Sequence, residues 1–329
     1  CGLTCAWMVF QQTFFHPDKY KHYVKFWGFK GPLACWICIW GMIAMLTSAP
    51  FDDWWHNTYG LDVQIVSPPH IVLAFGIFAI FLGSLQLVLA ERNLAQKSQK
   101  KIFEYFYLFA ASLILIQFCI LLTEYSFANK QHSLEFYKLS AIFYGFVIIA
   151  FSEASQTKYA ATIIAGLFMI HRLLILWILP LFDAEPLLGP IYREITHYVA
   201  PPFPPLLIIP AIIIDIVRTR FTLSNRILKA IIFAFIFTLI LLLTQWYFSE
   251  FLLSEYGRNW VFGSDRNKPF WVPIGDFNFE FWEYDWTPYG HKILMTPVTT
   301  GNILLTLVYS SFSIYLALFF ASWLKRVKK

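Results

Sequence analysis

Charge is what this chain has least of. Asp, Glu, Lys and Arg together make up 14% of its 329 residues, where a soluble domain carries about a quarter. That shortage excludes a soluble enzyme tethered by one anchor. The 15 Gly and 17 Pro residues are too few and too scattered for a collagen-like or low-complexity chain. Five Cys are an odd number and too few for a disulfide scaffold. Cys35, Cys38 and Cys119 fall inside apolar runs, where they read as small hydrophobes. Cys35-x-x-Cys38 alone is a weak redox or metal signal, because such pairs come with further partners. Phosphate-binding glycine loops, nucleophile elbows and HExxH are all missing, so no soluble catalytic domain is encoded.

What the chain has instead is apolar length. Hydrophobic residues make up 58% and aromatics 20%, with a mean hydropathy of +0.57. These values predict an all-α, polytopic integral membrane helical bundle forming a single membrane domain over 1–329. A bilayer crossing takes about 20 apolar residues, and about nine stretches qualify: 1–15, 32–50, 70–91, 102–124, 137–157, 159–182, 203–217, 227–248 and 303–324. The seventh is short and Pro-rich, which fits a tilted or re-entrant segment. Cys1 opens the chain without Met inside an apolar run; residues upstream, or a lipidated Cys, are the expectations there.

Basic residues gather in alternate loops. Lys19, Lys21, Lys25 and Lys30 follow the first span, and Arg92, Lys97, Lys100 and Lys101 the third. Lys158 follows the fifth, Arg218, Arg220 and Arg226 the seventh, and Lys325, Arg326, Lys328 and Lys329 the last. With nine spans all of these share one side, which the positive-inside rule makes cytoplasmic. The net charge of +5 therefore reads as topology, not nucleic-acid binding. The expectation is a bacterial inner (plasma) membrane protein with a cytoplasmic C-terminus. External connections then cover 51–69, 125–136, 183–202 and 249–302. The last, with Trp260, Trp271, Trp282 and Trp286, is an aromatic belt or a surface for partner subunits.

One connection carries a pattern of chemical interest. Asp52 and His56 are four residues apart, on one face if the second span stays helical that far. Ser67-Pro68-Pro69 reads as an N-cap followed by prolines at a helix start, fixing His70 in the first turn of the third span. One carboxylate and two imidazoles form a mixed donor set suited to copper, iron or zinc. The alternative is structural: Asp52 or Asp53 capping a helix, with His56 and His70 as interfacial hydrogen-bonders. Trp54 and Trp55 read as interfacial anchors. Asp53, Asp62, His197 and His291 are further donors on the same side.

Asp52-x3-His56-x13-His70, with Pro just before the last His and a span after it, resembles a motif of the copper membrane monooxygenases, the particulate methane and ammonia monooxygenases, where it lies in one of the membrane-embedded chains of the complex. The resemblance implies that Asp52, His56 and His70 are metal ligands. It covers about 20 residues and the following apolar helix. The family carries two such sets where one is found here, and its activity needs partner subunits.

In the sixth span His171-Arg172 places a charge deep in the apolar stretch, with Glu153 or Asp215 as candidate counter-ions. His171 also fits a haem-ligand role, without a partner His at matching depth. These readings leave a membrane metal-binding subunit, copper first, of an oxidase or monooxygenase-like complex. Its rivals are a non-catalytic scaffold component of a membrane complex and a transporter.

Overall fold

The computed structural model describes residues 1–17, 23–60, 66–185, 197–198, 200–257, 259–263 and 296–327. All nine apolar stretches contain helices: α1 Gly2–Phe14, α2 Leu33–Tyr59, α3 Pro68–Leu94, α4 Lys97–Leu121, α5 Leu134–Ala154, α6 Ala160–Ile178, α7 Ile208–Arg220, α8 Arg226–Leu253 and α9 Thr300–Leu324. The all-α bundle expected from composition is what is observed. Seven of these helices are long and apolar enough to cross a membrane. The other two, α1 and α7, have 13 residues each, about 20 Å of rise. The expectation of about nine spans thus narrows to seven full-length helices and two short ones.

The helices form two compact units. The first contains residues 1–121, 150–160 and 319–329. In it α1 leads to a small hairpin, Val24–Phe26 paired with Phe29–Gly31. Trp27 and Gly28 form its turn with φ of 48° and 87°, the positive values a two-residue hairpin loop requires. Thr13 ties the end of α1 to the hairpin, its hydroxyl accepting from the Lys30 N–H at 2.8 Å.

The closest packing is between α2 and α3. A Cβ on Gly41 would lie 2.6 Å from the Gly76 carbonyl oxygen, and one on Gly83 2.7 Å from that of Ala34. Small residues let the two backbones touch, as association in lipid favours. Cys35 and Cys38 are fully buried with Cys5 and Val9, and Cys38 Sγ lies against Gly83. They pack as small hydrophobes, as their sequence setting suggests. Residues 41 with 76 and 34 with 83 define an antiparallel register. Continued along α2, that register brings residue 52 level with the first turn of α3.

At the other end of α3, Arg92 is buried and meets Glu104 of α4 at 2.8 Å. Its place in a basic loop suggests a solvated topological charge; it is instead an internal clamp. Its guanidinium also donates to the Ala154 carbonyl at 3.3 Å and lies over the Tyr107 ring at 5.1 Å. Glu104 accepts from the Ser155 hydroxyl, the Gln156 N–H at 2.8 Å and the Thr157 hydroxyl at 3.2 Å. The end of α5 and the turn after it are thus pinned to α4.

The second unit contains residues 122–149 and 161–318. Gln245, near the end of α8, is buried, donates to Gln131 at 2.7 Å and accepts from the Leu206 N–H at 2.8 Å. Ser249 donates to the Ala128 carbonyl at 2.8 Å. At the opposite end, Asp215 of α7 accepts from the Thr162 N–H at 2.7 Å and from Arg218 at 2.8 Å. Residue 206 therefore lies at one end of this unit and residue 215 at the other. The Pro-rich lead-in, with Pro204 and Pro205 buried, and the short α7 together traverse the unit. Proline forbids a full-length helix there, and extended chain supplies the missing rise. Ser310 and Ser313 of α9 donate to the carbonyls of Ala141 and Ile142 on α5 at 3.3 and 2.7 Å, so those two helices run parallel.

Candidate metal centre

Helix α2 continues to Tyr59 despite Pro50, so most of the expected 51–69 loop is helical and Asp52 and His56 share a face. Across the α2–α3 seam His70 stands at the third position of α3. Asp52 Oδ1 lies 3.4 Å from His56 Nε2 and 3.7 Å from His70 Nε2. The structure therefore assembles the three residues that the sequence singled out. It also distinguishes the two adjacent acids: Asp53 is exposed and points away, while its carbonyl accepts from Asn57 at 2.8 Å.

Asp52 Oδ1 is buried and has no hydrogen-bond partner among the described residues. The other ring nitrogen of His56, Nδ1, lies 3.0 Å from the Gly60 carbonyl oxygen. A carbonyl only accepts, so this contact sets the tautomer with the proton on Nδ1. The Nε2 lone pair of that tautomer faces a carboxylate oxygen. Two acceptors at 3.4 Å repel unless a proton or a cation lies between them. Metal-bound imidazoles commonly have this carbonyl support on the second nitrogen. Two ligands each about 2.0–2.1 Å from a tetrahedral ion stand about 3.3–3.4 Å apart. The Asp52–His56 spacing matches that value, and the Asp52–His70 spacing is slightly wider.

These are two donor–donor edges, not a closed site. Among the described residues no group of three or more His, Cys, Asp or Glu side chains is arranged to hold a metal ion as it stands. The side chains of Asp52, His56 and His70 are about a third exposed, so the cluster opens outward. Phe51, Trp54, Trp55 and Tyr59 surround the end of α2, with Trp55 and Tyr59 ring centroids 4.5 Å apart. Trp54 is half exposed, in keeping with an interfacial anchor.

Ser67 occupies the N-cap position of α3 with extended backbone but makes no side-chain cap. Its hydroxyl is buried without a hydrogen-bond partner. Pro68 and Pro69 remove the first two N–H groups of the helix, so the expected cap lacks its usual donors.

The remaining candidates are distributed elsewhere. His197 pairs with the exposed Asp183 at 3.2 Å, in a bridge where the Tyr198 N–H donates to the Phe182 carbonyl at 3.1 Å. Asp62, His291 and most of the Trp-rich 249–302 segment lie outside the described residues. Asp215 is committed to Arg218 and to the start of α6, not to Arg172. Arg172 is 5% exposed, its Nε has no hydrogen-bond partner, and it takes part in none of the described ion pairs. His171 Nδ1 is likewise buried without a hydrogen-bond partner. Sequence reasoning missed the roles of Glu104, Gln131 and Gln245; a polar residue inside an apolar run was the available signal. No protein-family model matches this chain, and neither the curated proteins nor the solved structures give a match.

Proposed function

We propose that this integral membrane protein binds a transition-metal ion, copper first with iron and zinc as competitors, through Asp52, His56 and His70. The observation that carries the reading is the orphaned, buried Asp52 oxygen facing two imidazole nitrogens. A cation between them removes the acceptor–acceptor conflict, and a small inward movement of His70 closes the set. The carbonyl of Gly60 holds the His56 ring in the ligating tautomer. The motif's resemblance to the copper membrane monooxygenases favours copper and a place in an oxidase or monooxygenase-like assembly with other membrane subunits. When bound, such an ion supplies Lewis-acid or redox chemistry; the chain itself supplies position, charge balance and an opening on one side.

In the same reading the five basic loops are cytoplasmic and the metal site is external. The traverse of α7 supports this orientation, because it keeps Arg218, Arg220 and Arg226 at the same end of their unit as the start of α6.

The test is metal analysis by mass spectrometry on protein purified in nanodiscs, before and after incubation with copper, iron or zinc. Near-stoichiometric metal in the wild type, lost in both His56→Ala and His70→Ala, is the expected outcome. Well-folded wild-type protein that retains no metal after all three incubations sinks the proposal. Stable co-purifying partners in that case would favour the scaffold reading.

A further inference from the structure

A cavity of about 250 Å³ lies within the first unit, where the start of α2, the C-terminal half of α3 and the end of α9 meet the hairpin. Its wall is apolar at Leu33 and Ala90, amphipathic at Tyr23 and Trp323, and polar at Gln86 and Arg326. Two boundaries fix its depth. The apolar run of α2 begins at Leu33 and that of α9 ends at Leu324, so the cavity sits where spans pass into the headgroup layer. Tyr and Trp favour that level.

The charge around the cavity has one sign. Arg326 is exposed on its wall, Lys325 precedes it, and Lys30 Nζ lies 5.6 Å over the Tyr23 ring. None of the described ion pairs involves Arg326 or Lys30. Gln86 is 4% exposed and adds a buried amide to an otherwise apolar face. The volume far exceeds that of an inorganic cation and falls just below the smallest small-molecule pockets, about 300 Å³. A headgroup fits it better than a whole lipid. Leu33 and Trp323 are about half exposed and continue the apolar wall outward, where acyl chains would lie.

We propose that this cavity binds the headgroup of an anionic phospholipid, with Arg326 on the phosphate and Gln86 donating to the headgroup. Basic pockets between spans on the positively charged side recognise lipid headgroups in this way. The assignment needs the protein to be in a bilayer but not the metal at Asp52, so the two proposals fail independently.

The experiment uses the full chain in nanodiscs made from equal amounts of phosphatidylglycerol and phosphatidylcholine. Lipids retained on release are counted by native mass spectrometry. The expected result is selective retention of phosphatidylglycerol. Arg326→Gln should reduce the enrichment about fivefold, and Arg326→Lys should preserve most of it. Ala90→Phe, which fills the cavity, should displace the retained lipid; Arg326→Gln, on an exposed position, keeps the test decisive if that variant misfolds. Equal retention of both lipids overturns the proposal, as does enrichment that survives Arg326→Gln. Loss of the lipid to millimolar inorganic phosphate would also overturn it, by making the site one for soluble anions.

Discussion

Two arginines are buried in this protein, and their surroundings differ in almost every respect. Arg92 has a carboxylate at 2.8 Å, a carbonyl at 3.3 Å and an aromatic ring beneath its guanidinium. The carboxylate is satisfied in turn by a backbone N–H and two hydroxyls. Arg172 is as deeply buried and has none of this among the described residues; its Nε is an orphan. A desolvated charge is tolerable when its partners are complete. Arg92 therefore belongs to the architecture, while Arg172 is a cost that the fold carries without visible return.

The largest effect is expected at the clamp. Removing one partner of a buried ion pair strands the other and costs about 3–5 kcal/mol. Glu104→Leu should therefore lower the thermal midpoint in detergent sharply. It should also loosen the turn after α5, because Ser155, Gln156 and Thr157 all lose the same acceptor. The double variant Arg92→Met/Glu104→Leu should recover much of the loss, since no charge is then stranded. A double variant as unstable as the single one would break the argument: the role of the pair would lie in orienting the chain, not in balancing charge.

Arg172→Met should give a much smaller change, and its sign is the informative part. The substitution removes an unpaired buried charge and keeps the apolar stem, so the midpoint should hold or rise. A fall comparable to that of Glu104→Leu would erase the contrast between the two arginines. Unchanged stability together with loss of a flux or turnover would make Arg172 functional, as an unpaired charge within a span is by default.

The two arginines also mark where sequence reasoning succeeds. Asp52, His56 and His70 can be picked out because their association needs only local rules: four residues along a helix, then a short turn into an antiparallel neighbour. The glycines and small residues that set the register are visible in sequence, though their pairing is not. Glu104 and Ser155 are distant along the chain, and nothing in Arg92's neighbourhood names either. Proximity to a span end makes Arg92 look solvated, yet α4 and α5 close over it. The Ser67 cap fails for a simpler reason. The prolines that announce the helix start also remove the donors that a cap needs. The Pro-rich seventh segment is irregular, as its composition suggests. Its full traverse becomes evident only through Gln245 and Asp215 at opposite ends of the unit.

The smallest effect is expected at His197, and it concerns what counts as a site. In sequence His197 resembles the histidines of the metal candidate: it lies in an external connection, with an acid and prolines nearby. In the structure it pairs with Asp183, whose side chain is 95% exposed. Such a pair is worth about 0–1 kcal/mol, and neither group faces an orphaned buried acceptor. His197→Ala should leave the thermal midpoint within a degree or two and leave the metal content of the wild type unchanged. Metal lost in His197→Ala to the same extent as in His56→Ala would add a ligand to the centre and show that the Asp183 pairing is exchanged when metal binds. Retention of the metal would locate the difference between the histidines in burial of the facing oxygen. Asp52 Oδ1 is shut away from water and needs a cation or a proton beside it, whereas Asp183 has solvent on nearly every side.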